Sequence, residues 1–583
     1  MTGDGGGASE GREGEIREAG ARPFVWSIWL LLTLGAAGFV ARYGTDVPYW
    51  DDYALLDQMV GAAPITIEWL WAQHNEHRIS VPKLALLVVH RLAGNDVRAA
   101  MVLNVAMLSA LAAALIRLAS LLPGGGRPSD AFFPLLLHFG HGANLLWSFQ
   151  LGQVLPTCVG ASFLLPIAAR SSWPHPAYAI LACVGLTMLP LSRGTGLMYV
   201  PAVALWMVGW ALAEFRQPRV GRVRRSALIA LSALPGVALT ALYFRGFQKG
   251  LHPAVSDGIA SNARVGLQFL TSGLGMTTAR GWPWTGLVTV ALVALASFFL
   301  VRAWVLEPEE RPRVYGLVAF LAAPLGLAAG VGWGRGWAGE LAGFQERYVA
   351  MATPLWAWVA LVVRLYGTAA VGQFVPNALF VGLCVLAWPN SAAGLERARE
   401  GAATAEALAR DLRAGVPTYR IIRRYTPFLH PSQDEMSRLL PKLRDGRIGP
   451  FKDLHNSPVF REVPVALQPT LVSDATWDGR TARVTDIDPQ ITFSLSKPRE
   501  VAGIRIRYSH ANRQGAPARF QLTWRRPGQR GYSLDQRYAN WNLPTGSGRE
   551  TTVWVDDVIA DFRIQPDSQP CDFKIDAIEL LVP

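Results

Sequence analysis

Long apolar stretches recur along the chain and are separated by short polar or charged segments. Each stretch is close to the roughly 20 residues that an α-helix needs to cross a hydrocarbon core of roughly 30 Å. Soluble proteins rarely repeat helices that are apolar all round, so the pattern predicts a polytopic α-helical membrane protein. About 11 transmembrane helices are expected, at 24–41, 98–120, 131–148, 154–170, 176–192, 196–214, 226–244, 284–303, 314–332, 348–366 and 372–388.

The remaining stretches predict other elements. Residues 81–92 are apolar but too short to span, which favours a helix lying at the membrane interface. Residues 391–455 have helical periodicity and predict a connector. From 456 to 583 apolar and polar residues alternate, as at Ile504 and Ile506, and turn-rich segments separate the runs. This alternation predicts a β-sandwich of roughly 120 residues. The domain resembles jelly-roll carbohydrate-binding modules, which implies a jelly-roll-like, carbohydrate-binding-like fold.

Composition and charge set the expected orientation in the membrane. Hydrophobic residues make up 51% of the chain and charged residues 17%, against roughly 25% charged residues in soluble proteins. The net charge of +12 does not indicate nucleic-acid binding, because the arginines concentrate in loops between apolar stretches. One such loop carries Arg216, Arg219, Arg222, Arg224 and Arg225. The positive-inside rule places this loop in the cytoplasm, which makes the N-terminus cytoplasmic and the C-terminal domain extracytoplasmic.

Four regions follow from these patterns. Residues 1–23 are Gly-rich and charged and predict a disordered cytoplasmic tail. Residues 24–390 form the predicted transmembrane domain, 391–455 the helical connector and 456–583 the β-domain. Cys571 is the only cysteine after residue 390, so no disulfide within the chain is expected there. The whole is expected in a bacterial-type plasma (inner) membrane.

Candidate chemistry lies in the first outward loop. Asp51 and Asp52 follow the first helix and stand between aromatic residues, which could raise a carboxyl pKa into the range of a general base. A metal site or a simple helix cap would also explain two adjacent acids. Further along, His74 and His77 would share one helical face if their segment is helical. A zinc site with Glu76 is then conceivable, although hydrogen bonding to a substrate or capping is favoured.

This arrangement resembles the GT-C superfamily of membrane glycosyltransferases. The likeness covers the order of one helix, an acidic outer loop, interfacial helices, further spans and a soluble C-terminal domain, with the Asp51–Asp52 pair as its residue-level anchor. It implies transfer of a sugar from a polyprenyl-phosphate donor to a glycan, lipid or protein acceptor, with the carboxylate of Asp51 or Asp52 as the catalytic base. Many such enzymes carry a second acidic residue after helix 3, but residues 147–153 contain none. A divalent cation stays possible.

The departing lipid phosphate needs cations, and the planar arginine fork suits it. Candidate substrate-binding residues in the outward loops are His74, Glu76, His77, Arg78, Gln150, Arg193, Arg245, Arg335, Arg347 and Tyr348. Any single arginine could instead anchor to lipid headgroups. The expected partners are therefore a polyprenyl-phosphate-linked sugar, its acceptor and membrane lipid, with no nucleic acid.

Two other classes of function stay open. A secondary transporter or flippase usually has internal repeats and charges at mid-membrane, whereas this sequence has no evident repeat. A non-catalytic subunit for envelope polysaccharide assembly would use its β-domain to bind glycan. Trp477, Trp524, Trp541 and Trp554 could stack on sugars or simply pack the domain core.

Overall fold

The computed structural model describes residues 6–135, 137–248, 258–512 and 517–583. Contacts divide the chain into two units. Among the described residues, one unit comprises 6–45, 65–248 and 258–402, and the other comprises 46–64 and 403–583.

The α-helices are α1 (Gly6–Tyr43), α2 (Leu56–Met59), α3 (Ile67–Trp71), α4 (Ser80–Leu92), α5 (Arg98–Leu121), α6 (Phe132–Leu135), α7 (Gly142–Leu146), α8 (Leu151–Ser162), α9 (Leu164–Ala169), α10 (Tyr178–Met188), α11 (Gly194–Arg216), α12 (Arg222–Tyr243), α13 (Ile259–Ser272), α14 (Trp284–Leu306), α15 (Arg311–Arg335), α16 (Glu346–Tyr366), α17 (Ala369–Arg413), α18 (Thr418–Leu429) and α19 (Gln433–Asp445). Helix α1 begins within the tail that the sequence predicts to be disordered, whose Ala, Glu and Arg residues are good helix formers. Helix α17 joins the last predicted span to the start of the connector.

Nine helical segments among the described residues are long and apolar enough to cross a membrane. They are Ala21–Tyr43, Arg98–Leu121, Ser148–Ala169, Gly194–Arg216, Arg222–Tyr243, Trp284–Leu306, Pro308–Arg335, Glu346–Tyr366 and Ala369–Arg413. The predicted polytopic helical class is confirmed, and nine of the 11 expected helices correspond to these segments. The other two stretches, 131–148 and 176–192, form different structures.

The stretch at 131–148 is not one helix but a series of short turns. Asp130 pairs with Arg364 near the end of α16, at 2.5 Å, and the Ala143 N–H donates to Glu346 at the start of α16, at 3.0 Å. The segment therefore runs the whole length of α16, about 30 Å. Pro134, Gly140 and Gly142 explain the broken helix. Irregular backbone at this depth is tolerated because it is buried within protein.

The stretch at 176–192 is also shorter than expected. Helix α10 ends at Met188 and turns then lead into α11. Gly196 allows this tight connection, because a Cβ there would lie 1.9 Å from the Leu189 carbonyl oxygen. At about 1.5 Å per residue, α10 alone is about half the thickness of a hydrocarbon core.

Helix α16 forms the centre of the helical unit. Nearly all of its residues are buried, including Trp356 and Trp358. Their indole N–H groups donate to the carbonyl oxygens of Leu270 and Leu317, at 3.0 and 2.8 Å. These bonds satisfy donors that would otherwise be stranded in an apolar interior.

The loops of the helical unit gather at two ends. The polar end comprises residues 69–81, 139–150, 189–193, 243–248 and 335–346; its contacts join Gln73 to Gln248, Arg78 to Tyr243, Val81 to Leu191, His74 to Phe149 and Ala143 to Glu346. The basic end comprises 122–130, 214–226, 306–313 and 364–372, where bonds join Arg127 to Gly372, Glu310 to Tyr366 and Glu214 to Arg225. Within the helical unit, the described parts of the loops predicted to be outward thus share one end. The positive-inside rule predicts that the basic end is cytoplasmic.

In the second unit, helices α2, α18 and α19 accompany an antiparallel β-domain. Its strands are β1 (Arg461–Pro464), β2 (Leu471–Ser473), β3 (Ala475–Trp477), β4 (Thr481–Val484), β5 (Gln490–Asn512), β6 (Ala518–Arg525), β7 (Arg537–Leu543), β8 (Gly546–Gln565) and β9 (Cys571–Val582). The strand order is β3-β4-β9-β5-β8-β6-β7, with β1 on β9 and β2 on β5. Ile504, Ile506 and Tyr508 alternate into a buried core, as the period-two pattern predicts. The C-terminal β-domain is confirmed.

Candidate active site

Residues 74–77 form a tight turn at the polar end, not the helix on which the shared face of His74 and His77 depended. The His74 N–H donates to the His77 carbonyl at 2.7 Å, and the His77 N–H donates back at 3.0 Å. Asn75 adopts a positive φ of 50°, which asparagine tolerates in such turns. Among the described residues, neither histidine belongs to a group of three metal-ligating side chains. Glu76 lies at the turn and is half-buried.

Arg78 is buried and binds backbone carbonyl groups. Its guanidinium donates to the carbonyl oxygens of Trp71, Tyr243 and Arg245, at 2.5, 3.0 and 3.0 Å. It also lies 4.7 Å from the Trp71 ring centroid. These contacts use the planar fork to hold two loops together, so Arg78 acts as a positioning residue. The Arg245 side chain is exposed, and its carbonyl oxygen is the acceptor in this contact.

Lys83 supports the same loop from the first turn of α4. Its ammonium group is buried and donates to the carbonyl oxygens of Trp69 and Ala72, at 2.6 and 3.1 Å. Burial, reinforced by the charge of Arg78, lowers the pKa of Lys83 to about 8. Lys83 therefore fixes the chain just before the His74–His77 turn at the cost of a partly desolvated cation.

We expect Lys83 to make stability depend on pH. Its pKa is about 8 in the folded protein, against a usual value of 10.5. Between these values the unfolded state binds more protons, so the free energy of unfolding should rise with pH across this window. Thermal unfolding in detergent at pH values from about 7 to about 10 measures this rise, which should be smaller in Lys83→Met. An equal rise in both proteins would mean that Lys83 does not titrate there.

Arg193 stands where α8 and α11 begin. Its guanidinium lies 6.0 Å from the Phe149 ring centroid, and a Cβ on Gly152 would lie 3.5 Å from its Nη1 atom. His74 packs against the same Phe149 ring, with ring centroids 5.0 Å apart. A Cβ on Gly194 would lie 3.1 Å from Nδ1 of His77, so glycine permits the close approach. The structure thus brings His74, His77 and Arg193 together around Phe149.

Buried polar side chains near this cluster have oxygen atoms with no hydrogen-bond partner in the described part of the chain. They are Asn104 Oδ1, Asn144 Oδ1, Gln150 Oε1, Gln153 Oε1 and Thr157 Oγ1. The amide nitrogens of Asn104 and Asn144 do bond, to the carbonyl oxygens of Trp147 and Glu346. An unsatisfied buried oxygen costs about 1–3 kcal/mol, so several in one region call for a polar ligand or water.

The remaining basic candidates lie elsewhere at the polar end. Arg335 ends α15, and Arg347 lies over the ring of Tyr348, 5.4 Å from its centroid. Tyr348 is buried against Phe269 of α13, with ring centroids 5.6 Å apart. Arg347 and Tyr348 thus form a second group beside α13, whereas the Arg193 group forms around Phe149.

Glu346 supplies a carboxylate beside residues 143 and 144. One of its oxygens accepts from the Ala143 N–H at 3.0 Å, and the other pairs with Arg397. Residues 147–153 contain no acid, and the contacts of Glu346 are with Ala143 and Asn144, just before that segment. Because both oxygens have partners, Glu346 fixes the backbone there.

In the second unit, the adjacent acids Asp51 and Asp52 have different surroundings. Both lie in a 3₁₀ turn at Trp50–Leu55. Asp52 is buried, and its Oδ2 accepts from the Tyr49 N–H at 3.1 Å, which is the helix cap that the sequence left open. Asp51 is half-buried. The arrangement assigns a structural bond to Asp52 and leaves Asp51 as the more accessible carboxylate.

Aromatic and charged contacts hold the acidic turn in this unit. Tyr53 is buried, and its hydroxyl donates to the Pro48 carbonyl at 2.7 Å. Its ring lies against His430, with ring centroids 6.1 Å apart. Burial lowers the pKa of His430, while the negative charges of Glu435 and Asp51 oppose that shift. A neutral imidazole is thus placed in the electrostatic field of Asp51.

The β-domain tryptophans have different surroundings. Trp524 is fully buried, and its indole N–H donates to Asp557 at 3.0 Å. Trp477 and Trp554 are half-buried, and Trp554 packs beside Tyr419 of α18. Trp541 has 54% of its surface exposed. Core packing therefore accounts for Trp524, while the exposed Trp541 ring has the Arg519 guanidinium over it, 5.6 Å from the centroid.

Some residues of these clusters were missed by the sequence prediction. Asn104 could have been predicted as a site residue, because a polar residue within an apolar span is costly and is often functional. His430 could not, because it lies alone in a connector and meets Asp51 only through the fold. Lys83 was visible as a charge within the short apolar stretch 81–92.

No protein-family model matches the sequence, and no curated protein matches it. Solved structures that are similar to it at low levels include the following two. The arabinosyltransferase EmbB from Mycobacterium smegmatis is 13% identical, with 96% of this chain and 64% of that chain covered and a TM-score of 0.30. The low-affinity xylan-binding module CBM86 from Roseburia intestinalis is 10% identical, with 22% of this chain and 97% of that chain covered and a TM-score of 0.17. At these TM-scores neither likeness supports a functional argument.

Proposed function

We propose that this protein is a GT-C-type membrane glycosyltransferase that uses a polyprenyl-phosphate-linked sugar. The observation that carries the proposal is the group of buried amide oxygens, Gln150 Oε1 and Gln153 Oε1 among them, that have no partner among the described residues. A sugar presents several hydroxyl donors, and binding one there would satisfy these acceptors. The acceptor substrate is proposed to be a cell-envelope glycan, lipid or protein.

Arg193 is the proposed ligand of the donor phosphate. Its guanidinium lies beside the first turn of α8, where the helix dipole also favours an anion. Arginine can offer two parallel N–H donors to phosphate oxygens, and the Phe149 ring supports the guanidinium from one side. The apolar setting strengthens the interaction, because little water competes with it.

Asp51 is the proposed general base. The acceptor hydroxyl loses its proton to this carboxylate as its oxygen bonds to the anomeric carbon. The bond from the anomeric carbon to the phosphate oxygen breaks in the same step, and polyprenyl phosphate leaves with the electron pair. Asp52 supports the turn through its bond to the Tyr49 N–H. Arg335, Arg347 and Tyr348 stay candidates for acceptor binding, as do His74, Glu76 and His77 for donor binding.

The experiment that tests the proposal separates activity from stability with Gln150→Met. Methionine has a similar volume but no amide, so it removes the unsatisfied Oε1 atom. The melting temperature should stay unchanged or rise, while transfer of a labelled sugar from a synthetic polyprenyl-phosphate donor should fall at least about tenfold. Both are measured on the full chain purified in detergent.

Gln268 provides the matched control. It is also buried, but its amide donates to the Glu340 carbonyl at 2.6 Å and accepts from the Gly343 N–H at 3.1 Å. Gln268→Met should therefore lower the melting temperature. Transfer by Gln150→Met at the wild-type rate would contradict the role of these amides. Uptake of labelled substrate into sealed vesicles without any transfer product would favour a transporter instead.

A further inference from the structure

A second polar cluster lies in the β-domain, outside the proposed transferase machinery. His510, Asp567 and Cys571 place a ring nitrogen, a carboxylate oxygen and a sulfur all within 4.8 Å of one another. Their exposed surface fractions are 2%, 1% and 7%. Three potential metal ligands are therefore concentrated in a site that is closed to bulk solvent.

The sheet explains why these side chains meet. His510 is on β5 and Cys571 on β9, and the strands pair with His510 opposite Phe573 and Asn512 opposite Cys571. Residues two apart on a strand share a face, so His510 and Cys571 point to the same side as diagonal neighbours. Asp567 belongs to the connection between β8 and β9, and its carboxylate lies beside the His510 ring.

The carboxylate of Asp567 is held in place by the backbone. Its Oδ1 accepts from the N–H groups of Arg519 and Ser568, at 3.2 and 2.8 Å. Its Oδ2 then faces Nε2 of His510 at 3.4 Å. Hydrogen bonds that orient a ligand in this way are typical of metal sites, where the second oxygen coordinates the ion.

Several atoms of the cluster lack hydrogen-bond partners. Both ring nitrogens of His510 and Oδ2 of Asp567 are buried without a partner among the residues that the structure describes. Nε2 of His510 and Oδ2 of Asp567 lie close together, but their geometry is not that of a hydrogen bond. A neutral imidazole always carries one N–H donor and one acceptor, so leaving both unsatisfied is costly.

We propose that His510, Asp567 and Cys571 bind a zinc ion, a site that is independent of the proposed transferase function. Nitrogen, sulfur and carboxylate ligands suit Zn²⁺, whereas Ca²⁺ prefers six to eight oxygen ligands. Ligands about 2.0–2.2 Å from a tetrahedral zinc ion lie about 3.3–3.6 Å apart, which matches the Nε2–Oδ2 distance. Binding releases the Cys571 thiol proton to solvent, and a water molecule supplies the fourth ligand.

The proposed site gives Cys571 a structural role although it has no cysteine in the β-domain with which to form a disulfide. All four cysteines of the chain are free, and Cys571 is the only one in the β-domain. Zinc would join β5, β9 and the preceding connection, so it should stabilise this end of the domain.

The test is metal binding by the full-length protein in detergent. The protein is stripped with a chelator and then titrated with Zn²⁺ alone or Co²⁺ alone. We expect one zinc ion per chain, a higher melting temperature with zinc, and a sulfur-to-cobalt charge-transfer band. Cys384→Ser, which changes a cysteine in α17, should behave like the wild type.

Variants of the ligands make the result specific. Cys571→His should keep zinc but lose the sulfur-to-cobalt band, and His510→Gln should lower zinc affinity at least about tenfold. The proposal is overturned if the stripped wild-type protein takes up no zinc. It is also overturned if His510→Gln, shown to be folded by its melting transition, binds zinc as tightly as the wild type.

Discussion

Replacing Asp51 by asparagine is expected to lower the rate of sugar transfer by about 10²–10⁴-fold while the protein stays folded. Asparagine has nearly the same shape but cannot take the proton of the acceptor hydroxyl. Because Asp51 is only half-buried, the free energy of unfolding should change by less than about 0.5 kcal/mol. Labelled-sugar transfer and thermal unfolding, measured on the same purified sample, check both parts.

Two nearby aspartates, Asp52 on the same turn and Asp57 on α2, supply the controls. Asp52→Asn keeps an oxygen that can accept from the Tyr49 N–H, so transfer and stability should stay near wild type, whereas Asp52→Ala should cost about 1 kcal/mol through the lost cap. Asp57→Asn removes an exposed pair with Lys442 and should change neither quantity much. Transfer lost in Asp52→Asn but kept in Asp51→Asn would reverse the two roles. Full activity in both would refute a catalytic role for this turn.

The two acids show what a sequence can and cannot supply at a site. Adjacent aspartates beside a membrane helix are visible as a pattern, but the pattern treats them alike. Their difference depends on the turn itself, which directs Asp52 towards the Tyr49 N–H and leaves Asp51 outside that bond. The effect of the Asp51 charge on His430 joins residues nearly four hundred positions apart, and no local pattern reports such an interaction.

The fold was predictable where one physical rule dominated. Length and apolarity identified the nine long spans, and alternation identified the β-strands. Each pattern reflects the surroundings of the element itself: lipid and protein around a spanning helix, and a core on one side of a strand. The stretch 131–148 is equally apolar, yet it is broken at Pro134, Gly140 and Gly142. Hydropathy averages residue polarity and therefore does not report these breaks. The fold tolerates them because the segment is buried against α16 and does not need a continuous helix.

Two arginines of the polar end also look alike in the sequence but have different roles in the structure. Arg78 and Arg193 are both arginines in predicted outward loops, and the sequence nominated both for phosphate binding. Arg78 finds its acceptors at Tyr243 and Arg245, 165 and 167 residues away. Its role is therefore decided by loop packing that only the folded chain reveals.

Replacing Arg193 by lysine is expected to lower kcat/KM for the polyprenyl-phosphate donor by about 10–100-fold. Lysine keeps the charge but cannot present two parallel donors to a phosphate, nor stack on Phe149 as a planar group. Arg193→Gln removes the charge as well and should lose more. The melting temperature should fall only slightly in Arg193→Lys, because the cation stays beside Gly152.

Arg78→Lys is the matched comparison. It should lower stability and leave kcat/KM nearly unchanged, which is the opposite of the result expected for Arg193→Lys. Lysine cannot reach the three carbonyl groups that the buried guanidinium joins, so the protein should lose about 3 kcal/mol of stability. Protein that stays folded should retain kcat/KM within a few-fold. If Arg193→Lys instead reproduced this profile, with lost stability and unchanged kcat/KM, Arg193 would be a structural anchor. The phosphate would then have to be bound by another cation of the polar end, such as Arg347, whose guanidinium lies over Tyr348.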